Sequence, residues 1–256
     1  MSNNEMEYTG ERYVPELSAA KISYEHWHRY FFAGRFCNQK KVLDIASGEG
    51  FGSAFLAKSA TSVIGVDVSE EAINHANEKY RIQNLQFLKS NATQLPFNDN
   101  FFDVIVSFET LEHINEVDQQ LFLSEVSRTI CQDGLLIIST PNKKVYSDEA
   151  NYSNPYHLAE FYRKDFELFL RQFFPNVSFF EQQIIGGSEI SNGDDTIYTI
   201  DHLHMGANEY KPGRADSKKE KEYLIAVCSK ETLPSLQGSI LLDDDNSLIN
   251  QYQKPH

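Results

Sequence analysis

The stretch "VLDIASGEGFG", residues 42–52, is an aliphatic run that includes one acidic residue, Asp44, and leads into a loop with three glycines. A strand, a glycine loop and a helix in succession are typical of a cofactor site at the carboxyl ends of a parallel sheet. A dinucleotide-binding loop would need glycine at position 53, where this chain has Ser53. Asp44 would also place a carboxylate beside a bound pyrophosphate, which like-charge repulsion disfavours.

The surrounding sequence predicts an α/β fold. Short aliphatic runs alternate with polar helical stretches from residue 42 to 141, namely "KVLDIA", "SVIGVDV", "LQFLKS", "FDVIVSF" and "GLLIISTP". This alternation predicts a parallel sheet with crossover helices at Ser53–Lys58, Glu70–Arg81 and Asp118–Ile130. A helix over Lys164–Phe174 and two strands, "VSFFEQQI" and "EYLIAVCSK", should follow.

Polar residues follow the predicted strand tips. Asp67 ends the second strand and could accept both hydroxyls of a ribose, while Asn91 and Ala92 follow the third strand and could contact an adenine. The fourth strand brings Phe108 and Glu109 to the same edge. A cofactor carrying an ammonium and a sulfonium, with no phosphate, suits the acidic mouth of this cleft, and S-adenosylmethionine is such a cofactor.

The ordered motifs "LDIASGEG", "GVDVS", "NATQLPF", "FDVIVSFETLEHI" and "LLIISTPN", within residues 41–141, resemble those of class I S-adenosylmethionine-dependent methyltransferases. The resemblance implies a doubly wound, Rossmann-like, seven-stranded sheet with the last strand antiparallel. It implies a cofactor site formed by Asp44, Ala46, Gly48, Glu49, Gly50, Asp67, Val68, Asn91, Ala92, Thr93 and Phe108. The family usually has glycine at Ala46 and aspartate at Asn91.

Two outer segments resemble a bacterial subgroup found in surface-polysaccharide and deoxysugar biosynthesis. They are "YTGERYVPE" with "YEHWHRYFFAGRF", and "STPNKKVYSDE" with "NPYHLAEFY". This resemblance implies a small-molecule or carbohydrate acceptor, a sugar hydroxyl above all, and Arg12 and Tyr13 as substrate contacts. Tyr24 and His28 are further substrate candidates. The aromatic segment that holds them could cover the sulfonium with Tyr24, Trp27, His28, Tyr30 and Phe31, or it could be an amphipathic helix that buries its rings on the sheet.

Methyl transfer to a hydroxyl needs a base that removes the proton. His113 is the first candidate, since Glu109 precedes it by four residues and could orient the imidazole if both lie on one helix. His157, on a loop after the fifth strand, is the second candidate. Each histidine could equally have a structural role.

The sequence does not predict a metal site. In "DHLHM", His202 and His204 would share a strand face, with Asp201 or Asp194 as further ligands. A histidine pair in a polar insertion is more often an ordinary surface feature, so we expect no metal ligands.

The composition limits the partners. The 256 residues carry a formal net charge of −14, which disfavours nucleic acid. No apolar run approaches the roughly 20 residues that span a bilayer, and the first residues do not resemble a secretory signal. Cys37, Cys131 and Cys228 lie in or beside apolar runs and are expected to be reduced thiols in the core of a soluble, cytoplasmic protein.

We expect three regions: an N-terminal helical lid over residues 1–36, the methyltransferase domain over 37–230 with an insertion at 186–220, and a polar tail over 231–256. The tail contains "SILLDDDNSLINQY", predicted as an amphipathic helix that docks on the domain, on a second copy or on a glycan-assembly partner. The alternative functions are a nicotinamide-dependent oxidoreductase and a non-catalytic scaffold that binds S-adenosylmethionine.

Overall fold

The computed structural model describes residues 20–184, 188–191, 201–206, 209–214 and 220–241. Its helices are α1 Ala20–Gly34, α2 Phe51–Leu56, α3 Glu70–Lys79, α4 Glu116–Thr129 and α5 Arg163–Leu170. Its strands are β1 Lys41–Ile45, β2 Ser62–Asp67, β3 Leu85–Lys89, β4 Phe102–Phe108, β5 Ile130–Pro141, β6 Asn176–Ile184, β7 Ser188–Ser191, β8 Asp201–Gly206, β9 Glu209–Arg214, β10 Tyr223–Ser229 and β11 Ser239–Leu241. A short 3₁₀ helix spans Leu111–His113, and a π-helical turn spans Lys144–Glu149.

One mixed sheet has the strand order β11-β7-β6-β10-β5-β4-β1-β2-β3. β1 pairs in parallel with β2 and β4, and β10 runs antiparallel to both β5 and β6. The predicted seven-stranded sheet with an antiparallel last strand is confirmed. Sequence reasoning did not predict β7 and β11, two short strands that extend the sheet beyond β6.

Both faces of the sheet are buried, which explains the nearly continuous aliphatic runs of its strands. On one face Val42 and Val63 pack with residues of α1, α2 and α3. On the other face Leu43 and Ile105 pack with residues of α4 and α5. Neighbouring residues of β1 thus enter opposite core layers, as strand geometry requires.

Side chains cap two of the crossover helices. Ser69 Oγ accepts from the backbone N–H of Ala72 at 3.2 Å at the start of α3. Asn115 Oδ1 accepts from the N–H groups of Val117 and Asp118, so α4 begins at Glu116 and not at Asp118. These caps fix the points at which the chain leaves the sheet edge.

Helix α1 lies against the sheet. It contacts α2, β6, β7 and β11. The Phe32 ring lies 5.0 Å from the Phe180 ring, and the buried Arg29 donates from Nε to Gln182 Oε1 at 2.8 Å. Among the described residues, no helix has the length and apolar character needed to cross a bilayer.

The predicted tail helix does not begin at Ser239. Residues Ser239–Leu241 form β11, which pairs antiparallel with β7, because an edge strand offers unpaired backbone groups to an extended partner. Residues 242–256, which include Leu248 and Tyr252, lie outside the described residues. Of the three cysteines, Cys37 and Cys228 are buried as expected, whereas Cys131 is only half-buried.

Candidate active site

A cavity of about 580 Å³ opens at the carboxyl ends of β1, β2 and β4. Seven residues predicted to hold the cofactor line it: Ala46, Gly48, Asp67, Val68, Asn91, Ala92 and Phe108. Glu109 and His113, two of the three catalytic candidates, also line it. Strand tips far apart in sequence therefore meet in one cleft, as the parallel topology predicts.

The backbone of the glycine loop lies in the left-handed region at three positions. Ala46 has φ +59°, Gly48 has φ +56° and Gly50, the N-cap of α2, has φ +93°. This conformation costs a non-glycine residue about 1–2 kcal/mol. This conformational cost at Ala46 explains why the related motif usually has glycine at this position.

The third glycine of the loop, Gly52, allows close helix packing. A Cβ at this position would lie 1.9 Å from the ring of Tyr30 on α1. Tyr30 is buried, lines the cavity and packs edge-on against Phe51 and Phe108, with ring centroids 5.0 and 5.1 Å away. Gly52 thus lets α1 form one wall of the cofactor cavity.

Asp44 lies beneath the cavity and does not line it, which corrects the placement expected from the sequence. Its carboxylate is fully buried and accepts from Ser53 Oγ at 2.6 Å and from Tyr30 Oη at 3.2 Å. Burial raises the pKa of Asp44 to about 7, against these two hydrogen bonds. Acidic groups at the cavity wall are instead supplied by Asp67 and Glu109.

Asp67 is held at the cavity wall by backbone donors from two loops. Its Oδ2 accepts from the N–H of Gly48 at 3.0 Å, and its Oδ1 accepts from the N–H of Ser69 at 2.8 Å. A carboxylate oxygen can in general accept more than one hydrogen bond. A ribose with two adjacent hydroxyls fits this arrangement.

The loop after β3 contributes Asn91 and Ala92 to the cavity, but not Thr93. The Asn91 Oδ1 atom accepts from the N–H of Thr93 at 3.0 Å. The side-chain oxygen predicted to accept from adenine is therefore already engaged in holding the loop.

Two other predicted cofactor residues do not line the cavity. Glu49 is buried against α3, where its carboxylate accepts from Lys79 Nζ at 2.9 Å and from Tyr80 Oη at 3.0 Å. Gly50, at the end of the loop, packs closely against β3, where a Cβ would lie 2.6 Å from the Phe87 ring. Both residues serve the packing of the loop.

Glu109 follows β4 with φ +49° and does not lie on a helix with His113, contrary to the prediction. Its Oε1 accepts from Ser139 Oγ at 2.6 Å and lies 3.7 Å from Nη2 of the buried Arg29. A strained backbone at a cleft is common at functional sites. The strain turns Glu109 toward β5 and α1, so it cannot orient the imidazole as expected.

The loop after β5 orients His113 instead. Its Nδ1 lies 3.1 Å from the backbone oxygen of Tyr156, which also lines the cavity. A carbonyl only accepts, so Nδ1 of the neutral imidazole carries the hydrogen and Nε2 carries the lone pair. His113 can therefore accept a proton at Nε2.

His157 lies beside His113 but lines a different cavity. The ring centroids of the two histidines are 5.0 Å apart, with an angle of 79° between the rings. His157 faces a second cavity of about 610 Å³. The Glu160 carboxylate lies 2.5 Å from Nδ1 of His157, and Asn154 Nδ2 lies 3.1 Å from its Nε2.

Sequence reasoning missed Glu112, which is buried under both histidines. Its Oε2 accepts from Thr140 Oγ1 at 3.1 Å, and its backbone oxygen accepts from the N–H of Leu158 at 2.7 Å. Burial, followed by the nearby Glu109 charge, raises the pKa of Glu112 well above its usual range. The adjacent pair Glu112 and His113 in "ETLEHI" was the feature of the sequence that could have pointed to Glu112.

The substrate candidates on α1, Tyr24 and His28, do not line the cofactor cavity. Tyr24 is buried outside the cavity, and His28 is buried with Nε2 2.9 Å from Ser239 Oγ. Two residues along a helix rotate the side chain by about 200°, so His26 and Tyr30 line the cavity in their place. Arg12 and Tyr13 lie outside the described residues.

His202 and His204 lie in β8, which pairs with β9 in a two-stranded sheet. The extended conformation required for the metal hypothesis is present. Their side chains, and Asp194, lie outside the described part of the chain, so that hypothesis stays open.

Comparisons with known proteins agree with this geometry. Residues 43–138 match the family model "Methyltransferase domain". The chain is 34% identical over 154 residues to "Probable S-adenosylmethionine-dependent methyltransferase Rv3030" of Mycobacterium tuberculosis, which covers 59% of this chain and 55% of that protein. It is 32% identical over 108 residues to "Ubiquinone biosynthesis O-methyltransferase" of Pelagibacter ubique, covering 42% and 44% of the two chains. The chain thus spans about half the length of these curated relatives.

The fold is also similar to that of the crystal structure of PH0226 protein from Pyrococcus horikoshii OT3. The TM-score is 0.59 at 19% identity, covering 86% of this chain and 95% of that chain. The family match covers β1 to β5, which carry the cavity, and it does not support the oxidoreductase alternative. Residues 43–138 therefore form a class I S-adenosylmethionine-dependent methyltransferase domain, with S-adenosylmethionine as its cofactor.

Proposed function

We propose that this chain transfers a methyl group from S-adenosylmethionine to a hydroxyl oxygen of a polar small molecule. The acceptor class we favour is a sugar hydroxyl in surface-glycan biosynthesis. The observation that carries this proposal is the second cavity, whose lining residue His157 lies with its ring 5.0 Å from the ring of His113 in the cofactor cavity.

The second cavity suits a polyhydroxylated molecule. It has a volume of about 610 Å³, which is adequate for one or two sugar rings. Its lining includes Lys143, Asp148, Asn151 and Glu160. Carboxylate, amide and ammonium groups together donate to and accept from sugar hydroxyls. An apolar acyl chain would displace water from these groups without replacing its hydrogen bonds.

The position of His113 suits proton removal at the junction of the two cavities. His113 lines the cofactor cavity and His157 lines the second cavity. A hydroxyl bound at this junction would lie between the cofactor and the polar lining. His113 Nε2, which the Tyr156 carbonyl leaves as the lone-pair nitrogen, is the acceptor for the hydroxyl proton.

The reaction is an in-line displacement. The acceptor oxygen forms a bond to the methyl carbon while the bond from that carbon to the sulfonium sulfur breaks. The sulfur keeps the electron pair, which gives neutral S-adenosylhomocysteine, and the hydroxyl proton passes to the base. The protein's main contribution is alignment and exclusion of water.

One relative supports oxygen as the methylated atom, since its printed name is that of an O-methyltransferase. That name concerns a ubiquinone-pathway protein with which this chain shares 32% identity over 108 residues. It does not identify the acceptor, for which the polar cavity is our argument.

The test measures S-adenosylhomocysteine by mass spectrometry after incubation with S-adenosylmethionine and a panel of acceptors. The panel contains nucleotide-linked deoxysugars, free monosaccharides, a long-chain fatty acid and a catechol. We expect product with members of the sugar group and a mass increase of one methyl group on the sugar. Product with the fatty acid or the catechol alone would contradict the sugar proposal. Cofactor binding without product from any acceptor would favour the scaffold alternative.

A further inference from the structure

We infer that Glu112, His113 and His157 form a binding site for one divalent transition-metal ion at the junction of the two cavities. One ligand atom from each of the three residues lies within 4.8 Å of the others. Two imidazole nitrogens and one carboxylate oxygen are a donor set that suits Zn²⁺, Mn²⁺ or Fe²⁺. This inference rests on the proposed function only for what the ion would do, and not for whether it binds.

The two imidazoles are held as metal-binding histidines usually are. The backbone oxygen of Tyr156 accepts from Nδ1 of His113, which leaves Nε2 unprotonated in the neutral ring. The Glu160 carboxylate lies at Nδ1 of His157, which leaves Nε2 of that ring as the lone-pair nitrogen. In metal sites, the ring nitrogen that does not bind the metal usually donates to a backbone carbonyl or a carboxylate. That hydrogen bond fixes the tautomer and the orientation of the ligating histidine.

The carboxyl group of Glu112 is an independent observation that points to a ligand. The residue is 1% exposed, and its Oε1 atom has no hydrogen-bond partner among the described residues, while Oε2 accepts from Thr140. A buried polar atom without a partner costs about 1–3 kcal/mol. A cation bound to this oxygen would remove that cost and neutralise the carboxylate.

The groups around the site allow an ion to enter without breaking the fold. His157 Nε2 faces Asn154 Nδ2 at 3.1 Å, and this amide would have to turn aside when the ring binds a metal. Metal–ligand distances of about 2.0–2.2 Å bring ligand atoms to within roughly 3–4 Å of one another. The present separations of up to 4.8 Å therefore require only a small closing movement.

The position suggests what the ion would do. Three protein ligands leave at least one coordination position open, as in catalytic metal sites. An acceptor hydroxyl that occupies this position would lose its proton more readily, because the ion stabilises the alkoxide. With the ion bound, His113 Nε2 would be a ligand, so the ion would replace this nitrogen as the group that promotes loss of the hydroxyl proton. The oxygen would then attack the methyl carbon, the carbon–sulfur bond would break, and the released proton would pass to solvent or to a neighbouring carboxylate.

The test is a calorimetric titration of metal-free protein with ZnCl₂ and with MnCl₂, without S-adenosylmethionine or acceptor. We expect one ion per chain for at least one of the two metals. Glu112→Gln and His157→Gln should each weaken that binding at least tenfold. Circular dichroism spectra and melting curves of both variants would show that they are folded.

A matched control tests the other histidine pair. The double variant His202→Ala/His204→Ala should bind the same ion with unchanged stoichiometry and affinity. Loss of binding in this control, with binding retained in Glu112→Gln and His157→Gln, would overturn the inference and favour the hairpin. Absence of binding by the unsubstituted protein would also overturn it. Neither result bears on methyl transfer itself, which the acceptor panel measures separately.

Discussion

The imidazole of His113 lies 3.1 Å, measured from Nδ1, from the backbone oxygen of Tyr156, although a whole crossover helix and β5 separate the two residues in the chain. This hydrogen bond joins the tip of β4 to the loop after β5. It fixes the tautomer of His113, which lines the cofactor cavity and contacts His157 of the polar cavity. The geometry of this junction is the basis of the proposed chemistry.

Substitution of His113 should slow methyl transfer much more than it weakens cofactor binding. For His113→Gln we expect a loss of about 10²–10⁴-fold in the single-turnover rate, since general bases typically contribute that much. The affinity for S-adenosylmethionine should change less than about threefold. His75→Gln is the matched control, because His75 lies on α3 near Glu49, outside the cavity. An unchanged rate in His113→Gln would exclude His113 from the reaction.

Substitution of Asp67 should weaken cofactor binding. Asp67→Ala would remove the acceptors for two ribose hydroxyls, each worth about 1.5–3 kcal/mol for a charged group. Because Asp67 also accepts from the N–H groups of Gly48 and Ser69, Asp67→Asn serves as a second variant that disturbs the loop less. Isothermal titration calorimetry with S-adenosylhomocysteine measures the affinity of each variant for the cofactor product. An affinity equal to that of the unsubstituted protein would show that the ribose binds elsewhere.

A methyl group at Gly52 should disturb the contact between α1 and the glycine loop. In Gly52→Ala the added Cβ would lie 1.9 Å from the Tyr30 ring, so one of the two elements must move. Overpacking of this kind costs about 1–3 kcal/mol. Urea unfolding should show this loss, whereas Ser59→Ala, at an exposed position after α2, should not. Equal stability of Gly52→Ala and the unsubstituted protein would contradict the close packing of Tyr30.

The stability of the fold should depend on pH through Glu25. Burial raises the pKa of Glu25 from 4.5 to about 7, while Arg29, Lys21 and a hydrogen bond from Tyr223 lower it and Glu222 raises it. The folded state therefore binds more protons than the unfolded state between these values, and this contribution to stability is lost as the pH rises through 7.

Glu25→Gln should remove this pH dependence while keeping an acceptor for the Tyr223 hydroxyl, which lies 3.0 Å from the carboxylate. From pH 5 to pH 8 the free energy of unfolding of the variant should fall less than that of the unsubstituted protein, by roughly 2 kcal/mol. Urea titrations at each pH measure the difference, with the exposed Glu71→Gln as control. Parallel pH curves for Glu25→Gln and the unsubstituted protein would show that Glu25 ionises normally.

The shared cleft of the central strands could be predicted from sequence because periodicity is local, whereas the order of the strands followed only from the family resemblance. "VLDI" and "GVDV" alternate between two buried faces, so each places its next polar residue at the same sheet edge. Asp67 and Gly48 were identified in this way. The metal-ligand set was not, because Glu112 and His157 meet only through the fold.

The structure differs from the sequence-based expectations where tertiary packing determines the direction in which a side chain points. Asp44 was expected in the cavity because it lies near the end of a buried strand, but Tyr30 and Ser53 from two helices form hydrogen bonds with it. The face that α1 presents to the cavity depends on its contacts with β6 and β11. Those strands lie far along the chain, so periodicity alone could not choose between His26 and His28.

A crystal structure with S-adenosylhomocysteine bound is the most direct test of the proposed site. The ribose hydroxyls should lie within hydrogen-bonding distance of Asp67. The sulfur should lie in the part of the cavity lined by Glu109 and His113, facing the second cavity. A ligand whose sulfur points away from His113, or one bound in the second cavity, would contradict the proposed path of the methyl group.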